Sequence, residues 1–235
     1  MISKNHFMCA KICVVIPAYN NEETIETVVS TARMYIESVV VIDDGSTDNT
    51  ARLAQRAGGR IIQVETNTGK GNALRLGFHD ALIHGYDAVI TLDADLQHDP
   101  GDIPKFIDHY KTHHANIIVG NRMTHRDDIP SVRRVPNMVG MYLFTLLIGQ
   151  TIKDSQCGFR LYDRAIMEQI PVVRDGFDAE ADILLRAGKR GYTIQYVPIR
   201  AVYFENSRHR SSYRPVKDTF HISITFLKNL FWKER

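Results

Sequence analysis

The chain is short of the features that would place it in several common classes. Its 235 residues include three cysteines, Cys9, Cys13 and Cys157, an odd number without metal-ligand spacing. That argues against a disulfide framework and for a reducing, cytoplasmic compartment. No apolar run reaches the roughly 20 residues that span a bilayer; the stretch from Met138 to Ile152 is broken by glycines, threonines and a glutamine. The N-terminus carries Lys4 and Lys11 around a short apolar patch that runs into a strand, so it does not read as a signal peptide. A formal charge of +2 gives no support to nucleic-acid binding. Two glycine signatures are missing as well. No Gly-x-Gly-x-x-Gly follows the first strand, which disfavours a dinucleotide oxidoreductase, and Gly69-Lys70-Gly71 lacks the earlier glycine and the hydroxyl of a phosphate loop.

What is present is an ordinary globular composition, 44% apolar and 24% charged, in a chain long enough to bury a sizeable core. β-Branched runs at Ile12–Ile16, Val39–Ile42, Ile61–Val64, Val89–Leu92 and Ile117–Gly120 suit strands buried on both faces. Between them lie segments with helical apolar spacing: Ile25 to Ile36, Ala51 to Ala57, Ala73 to Leu82 and Ile103 to Tyr110. This alternation predicts an α/β domain with a mostly parallel sheet. Further on, Met138–Ile148 and Ile183–Ala187 read as helices and Tyr192–Ile199 as a strand. A tail carrying Phe220, Ile224, Leu227 and Phe231 reads as an amphipathic helix. That tail can pack on the domain, cover a dimer partner or lie on a membrane surface.

The first four strands end in loops rich in Asp, Asn, Gly and Lys, and ligands of such sheets bind outside the carboxyl ends of the strands. The strongest loop is Asp93-Ala94-Asp95-Leu96-Gln97. If the chain stays extended beyond Leu92, Asp93, Asp95 and Gln97 point to one side. Two carboxylates so close need a cation between them, and Mg²⁺ or Mn²⁺ is held by one or two carboxylates plus substrate phosphates. A plain turn is the alternative, because His98-Asp99-Pro100-Gly101 has turn chemistry.

Four segments in order, Ile16-Pro17-Ala18-Tyr19-Asn20, Asp43-Asp44-Gly45-Ser46-Thr47-Asp48, Gly69-Lys70-Gly71-Asn72-Ala73 and Asp93-Ala94-Asp95-Leu96-Gln97, resemble the motif series of family 2 glycosyltransferases. The resemblance implies a GT-A fold, a Rossmann-like sheet flanked by helices in a single domain over 1–235. A nucleotide-binding half would cover 1–120, an acceptor-binding half 121–216 and a C-terminal amphipathic helix 217–235. It also implies a nucleotide-diphosphate sugar donor. Pro17, Ala18 and Tyr19 would border the nucleoside, Asp43 and Asp44 the base or ribose, and Lys70 and Gly71 the rest of the nucleotide. Asp93, Asp95 and Gln97 would hold Mg²⁺ or Mn²⁺. One departure is Asn21, where many relatives carry Glu; Glu22 stands beside it.

In the second half, Asp154-Ser155-Gln156-Cys157-Gly158-Phe159-Arg160 is similar to a segment of polyprenyl-phosphate sugar synthases such as the dolichyl-phosphate mannose synthases, with Cys157 in place of a serine. The resemblance implies that Asp154 faces the sugar or acceptor, that Gly158 allows close backbone approach and that Glu180 faces the reaction centre. Arg122 would meet the diphosphate. Asn21, Ala94, Arg134, Arg160 and His209 fall among the implied substrate-contacting positions. The polar stretch from His125 to Pro136 would be a basic loop over the phosphates, and Tyr203 to Arg214 a second one. Read from the residues alone, Asp154 equally suits a helix-end turn or an ion pair with Arg160, and Asp178 an N-cap.

The implied activity is inverting, metal-dependent transfer of a sugar from GDP-mannose or a UDP-sugar to a polyprenyl or dolichyl phosphate, with peripheral attachment to the cytoplasmic membrane face. A sugar hydroxyl in polysaccharide synthesis is the alternative acceptor, and a non-catalytic nucleotide-sugar-binding protein the alternative class. A sugar nucleotidyltransferase would want a glycine-rich basic loop after the first strand, which Pro17-Ala18-Tyr19-Asn20-Asn21 does not offer.

Overall fold

The computed structural model describes residues 10–124 and 131–201, without the side chains of 131–133, 135 and 136. Strands and helices alternate as the apolar pattern requires: β1 (Ile12–Ala18), α1 (Ile25–Arg33), β2 (Val39–Asp44), α2 (Thr50–Arg56), β3 (Arg60–Val64), α3 (Lys70–Ile83) and β4 (Ala88–Thr91). After a 3₁₀ turn at Pro100–Asp102 come α4 (Ile103–His113), β5 (Ile117–Asn121), α5 (Ser131–Ile148), β6 (Arg160–Asp163), α6 (Arg164–Gln169), α7 (Ala179–Lys189) and β7 (Ile194–Pro198). The seven strands form one sheet in the order β3-β2-β1-β4-β6-β5-β7. Only β6 is antiparallel to its neighbours, so the other six strands direct their carboxyl ends to one edge.

The core is the sheet's two faces. Every residue of β2 is buried, as are Cys13 to Ile16 of β1 and all of β4. Helices cover both faces and close on small residues where they meet the sheet. At Gly77 of α3 a side chain would run into Val15, so only glycine lets that helix lie so near β1.

Three local features differ from the sequence reading. Pro17 does not stop β1: the strand continues to Ala18, paired with Ile42 and Asp43 of β2. Alternate residues face the same neighbour, and β4 stops pairing at Thr91 opposite Val15. The amide that proline lacks therefore has no partner to lose on that side. Secondly, α5 starts at Ser131, so the polar stretch expected as a loop through Pro136 is helical from there; 125–130 lie outside the described residues. Thirdly, the four residues of β6 and the six of α6 carry too little periodicity to be read from sequence. β6 slots between β4 and β5 and brings Gly158 to Arg160 to the same sheet edge as Asp93 and Arg122.

Candidate active site

At that edge the chain turns sooner than extended geometry would require. β4 ends at Thr91, a turn forms at Ala94–Asp95, and Leu96 adopts the left-handed conformation (φ 58°). Asp95 Oδ1 accepts from the Gln97 N–H at 3.0 Å. Asp93, Asp95 and Gln97 thus share a tight turn, and the same-face alternation argument does not apply to Gln97. The turn is tied down from both sides. Buried Thr24 donates to the Ala94 carbonyl at 2.6 Å, and His98 bridges to Ala201. Ala94 itself is buried.

Asp93 meets the N-terminal turn of α3. Lys70, in the first turn of that helix, donates to Asp93 Oδ1 at 2.5 Å and to Glu180 Oε2 at 3.0 Å, from the first turn of α7. The Phe177 ring lies 5.7 Å from its ammonium. Burial alone would depress the Lys70 pKa, but Asp93 and Glu180 outweigh it and raise it. For Asp93 the same balance runs the other way: burial favours the neutral acid, and Lys70, His98 and Arg122 together hold it below the usual carboxylate range. Gly158 packs against this pair, and a Cβ there would meet Asp93 Oδ2 and Lys70 Nζ. The close approach expected of Gly158 is therefore to protein side chains.

The positions expected to face the nucleotide divide in two. Tyr19 is 37% exposed at the end of β1, beside the partly buried Pro17 and Asn21. Asn21 turns its amide back, its oxygen accepting from the Tyr19 N–H at 2.9 Å, while Glu22 Oε2 accepts from the backbone and side chain of Asn49. Asp44 is buried, with both oxygens used: Oδ1 accepts from the Thr68 N–H and hydroxyl, and Oδ2 from the Gly69 N–H at 2.7 Å. It ties the loop after β3 to the end of β2. Asp43 is buried too, but its Oδ2 has no hydrogen-bond partner among the described residues. Gly71 gives its N–H to the Asp175 carbonyl at 2.7 Å, and a Cβ on it would strike the Arg174 carbonyl. Its role here is close packing of α3 on the 174–179 segment.

The second-half motif is an internal frame. Asp154 is fully buried, and its carboxylate accepts from Arg122 Nε and Nη2 at 2.8 Å each. It also accepts from Asn137 Nδ2 at 3.0 Å and from the N–H groups of Gln156 and Cys157 at 3.1 Å. Burial works to raise its pKa, but the Arg122 charge and these donors hold it down. The ion pair open in the sequence reading is thus with Arg122. Arg160, expected to touch substrate, is also fully buried. Its three nitrogens donate to the carbonyls of Cys157, Glu180 and Ser155 at 2.6, 2.7 and 3.0 Å. It bolts the motif to the start of α7 and does not reach the crevice. Asp178 is the N-cap residue of α7 but makes no capping hydrogen bond. Arg134 is partly buried in α5; His209 and the basic stretch 203–214 lie outside the described residues.

Two participants were absent from the sequence reading. Asn137 holds both Asp154 and Ser155, and a lone amide just before the apolar run Met138–Ile148 was the available signal. His98 was read only as a turn residue. Burial, then the Arg122 charge, push its pKa down to about 4, so it is neutral at pH 7 and carries charge only in the acid range where Asp93 titrates.

As a cation site, the turn offers two carboxylates and an amide. Among the described residues no three His, Cys, Asp or Glu side chains cluster so as to hold an ion alone. The donor set fits Mg²⁺ or Mn²⁺ completed by substrate phosphates rather than a closed protein cage.

The model of the family described as Glycosyl transferase family 2 matches residues 13–171, more than half of the chain. A UDP-N-acetylglucosamine–dolichyl-phosphate N-acetylglucosaminyltransferase of Methanococcus voltae is 29% identical over 86% of this chain and 89% of its own. An undecaprenyl-phosphate mannosyltransferase of Micrococcus luteus is 26% identical over 86% and 88%. Among solved structures, glucosyl-3-phosphoglycerate synthase from Mycobacterium tuberculosis, crystallised with Mn²⁺, UDP and phosphoglyceric acid, superposes with a TM-score of 0.76. That match covers 99% of this chain and 84% of the other at 22% identity, and it shows the shared GT-A fold.

Proposed function

The chain belongs to glycosyl transferase family 2 and is a glycosyltransferase. From that premise we propose that it moves a sugar, with inversion, from a nucleotide-diphosphate sugar to a polyprenyl phosphate. The observation that carries this reading is the linked array Asp93–Lys70–Glu180 at the carboxyl ends of parallel strands, with Asp95 in the same turn as Asp93. Two relatives whose names specify lipid-phosphate acceptors support the choice of acceptor.

Asp93, Asp95 and Gln97 would hold Mg²⁺ or Mn²⁺, which when bound offsets negative charge on the donor diphosphate. Tyr19 would border the nucleoside. Asp43 Oδ2, a buried acceptor that nothing in the described chain satisfies, suits an N–H of the base. In the displacement, a phosphate oxygen of the acceptor bonds to the anomeric carbon from the face opposite the leaving group. The bond from that carbon to the diphosphate oxygen breaks, and the nucleoside diphosphate departs with the electron pair. The acceptor is already an anion, so no base is required.

A sugar hydroxyl as acceptor is favoured by one observation. Glu180 Oε1 is buried without a hydrogen-bond partner among the described residues, while Oε2 is fixed by Lys70, an arrangement suited to take a proton from a hydroxyl. A donor screen decides. GDP- and UDP-sugars are offered with Mg²⁺ or Mn²⁺, with and without a short polyprenyl phosphate, and nucleoside diphosphate release is measured. Release that depends on the lipid phosphate is expected. Donor binding without lipid-dependent release would shift the acceptor to a hydroxyl compound and Glu180 to the role of base.

A further inference from the structure

The turn that offers the cation ligands carries two residues with no part in the chemistry so far, Leu96 and His98, one on each side of Gln97. Leu96 holds a left-handed backbone (φ 58°), unusual for a bulky residue, while its side chain packs against the core. Such backbone strain persists only where the surrounding structure over-determines it.

His98 supplies part of that constraint. It is buried, and its backbone forms an isolated antiparallel bridge with Ala201. Its Nε2 lies 3.8 Å from Cys157 Sγ, within hydrogen-bonding range for sulfur. Its Nδ1 has no hydrogen-bond partner among the described residues. The orientation of the ring therefore rests on Cys157 and on packing against Phe159, whose ring lies 6.1 Å away and stacks on Phe106 at 4.3 Å.

Cys157 is fixed in its turn. It is fully buried, and its N–H donates to Asp154 Oδ1 at 3.1 Å, the carboxylate that pairs with Arg122. A continuous path thus runs from the Arg122–Asp154 pair through Cys157 to His98, the neighbour of Gln97. A side chain set between a packed left-handed residue and a buried ring has little freedom of direction. Groups standing behind a metal's ligands orient them, and losing one typically weakens the metal about 10–100-fold.

We propose that His98, seated on Cys157, is a positioning residue for the cation and aims Gln97 from the buried side of the turn. The inference rests on Asp93, Asp95 and Gln97 being the cation's ligands, and adds two residues that act from behind them.

The test is calorimetric binding of UDP and of GDP to the full chain, each with Mn²⁺ and with EDTA. The ratio of the two affinities isolates the cation's share, which a merely structural defect leaves unchanged. In the parent, Mn²⁺ is expected to tighten the nucleotide that binds. His98→Asn, too short to reach Cys157, should lower the ratio about ten-fold or more. His98→Gln, which places a polar atom near the position of Nε2, should restore most of it. In a Q97A background His98→Asn should add nothing, because its effect passes through Gln97. Cys157→Ala should lower the ratio by a smaller factor, and Cys157→Ser should recover it. Thermal melting reports whether each variant folds, and if His98→Asn does not, the Cys157 pair decides.

A folded His98→Asn or Cys157→Ala that keeps the parent's ratio overturns the proposal, as does a loss that persists in the Q97A background. A parent indifferent to Mn²⁺ sinks the cation assignment, and the inference with it. A Mn²⁺-dependent parent whose ratio ignores His98 and Cys157 sinks the inference alone.

Discussion

The two halves of the molecule handle polar residues differently. In the first, from β1 to the turn after β4, strand-end side chains mostly knit one loop to the next, as Asp44 does with Thr68 and Gly69, and leave Tyr19, Asp93 and Asp95 on the crevice. In the second, Asp154 and Arg160 are wholly buried and spend their hydrogen-bonding capacity on the protein itself. A crevice residue of the first half such as Tyr19 can therefore be lost at little cost to the fold, unlike a loop tie such as Asp44, whereas Asp154 and Arg160 support the floor on which the loops rest.

Asp154→Ala should break that floor most severely. It removes the carboxylate paired with the nearly buried Arg122 and the acceptor of the Gln156 and Cys157 N–H groups, and losing one partner of a buried pair costs about 3–5 kcal/mol. For a domain of this size that is a fall in Tm of roughly 10 °C, read by thermal melting. The same carboxylate gives a pH signature. Its folded pKa lies below the usual aspartate value of 3.8, so its stabilisation is complete above about pH 4 and is lost as pH falls through the depressed value. Asp154→Asn should flatten that part of an acid-unfolding curve.

Arg160→Met comes next. It leaves three carbonyls without their donor but also removes a buried charge, so urea titration should show a smaller loss, about 1–3 kcal/mol, together with reduced turnover. Gly158→Ala probes the seam between the halves. Its methyl would push on Asp93 and Lys70, costing about 1–3 kcal/mol by overpacking, and donor affinity by calorimetry should drop further than stability does. Asp95→Ala should leave stability within about 1 kcal/mol while abolishing metal-dependent donor binding. Unchanged Mn²⁺-dependent affinity would remove Asp95 from the cation site. The smallest effect belongs to Glu22→Gln, within about 0.5 kcal/mol, because its contacts with Asn49 are exposed. If Asp95→Ala unfolded the protein as readily as Asp154→Ala, the contrast between the halves would collapse.

Much of the first half was legible because each signal is local. Unbroken β-branched runs such as Val39–Ile42 require burial on both faces, and loops that close them must fall at the carboxyl ends of parallel strands. The motif Asp43-Asp44 was legible as a pair of carboxylates at a strand end, but not the division of labour within it, since only packing shows that Asp44 faces Thr68. In the second half the decisive pairs, Arg122 with Asp154 and Lys70 with Glu180, join residues 32 and 110 positions apart. No spacing rule reaches so far.

By itself the sequence determined the alternating strands and helices, the edge at which the polar loops gather, and the family motifs those loops carry, because burial and turn chemistry act over a few residues. Tertiary structure alone decided that β6 runs backwards between β4 and β5, that Arg160 faces inward, and that the Asp93 turn tightens before Gln97. Four-residue strands and buried charges take their direction from partners supplied by distant chain, and those partners exist only once the sheet is built.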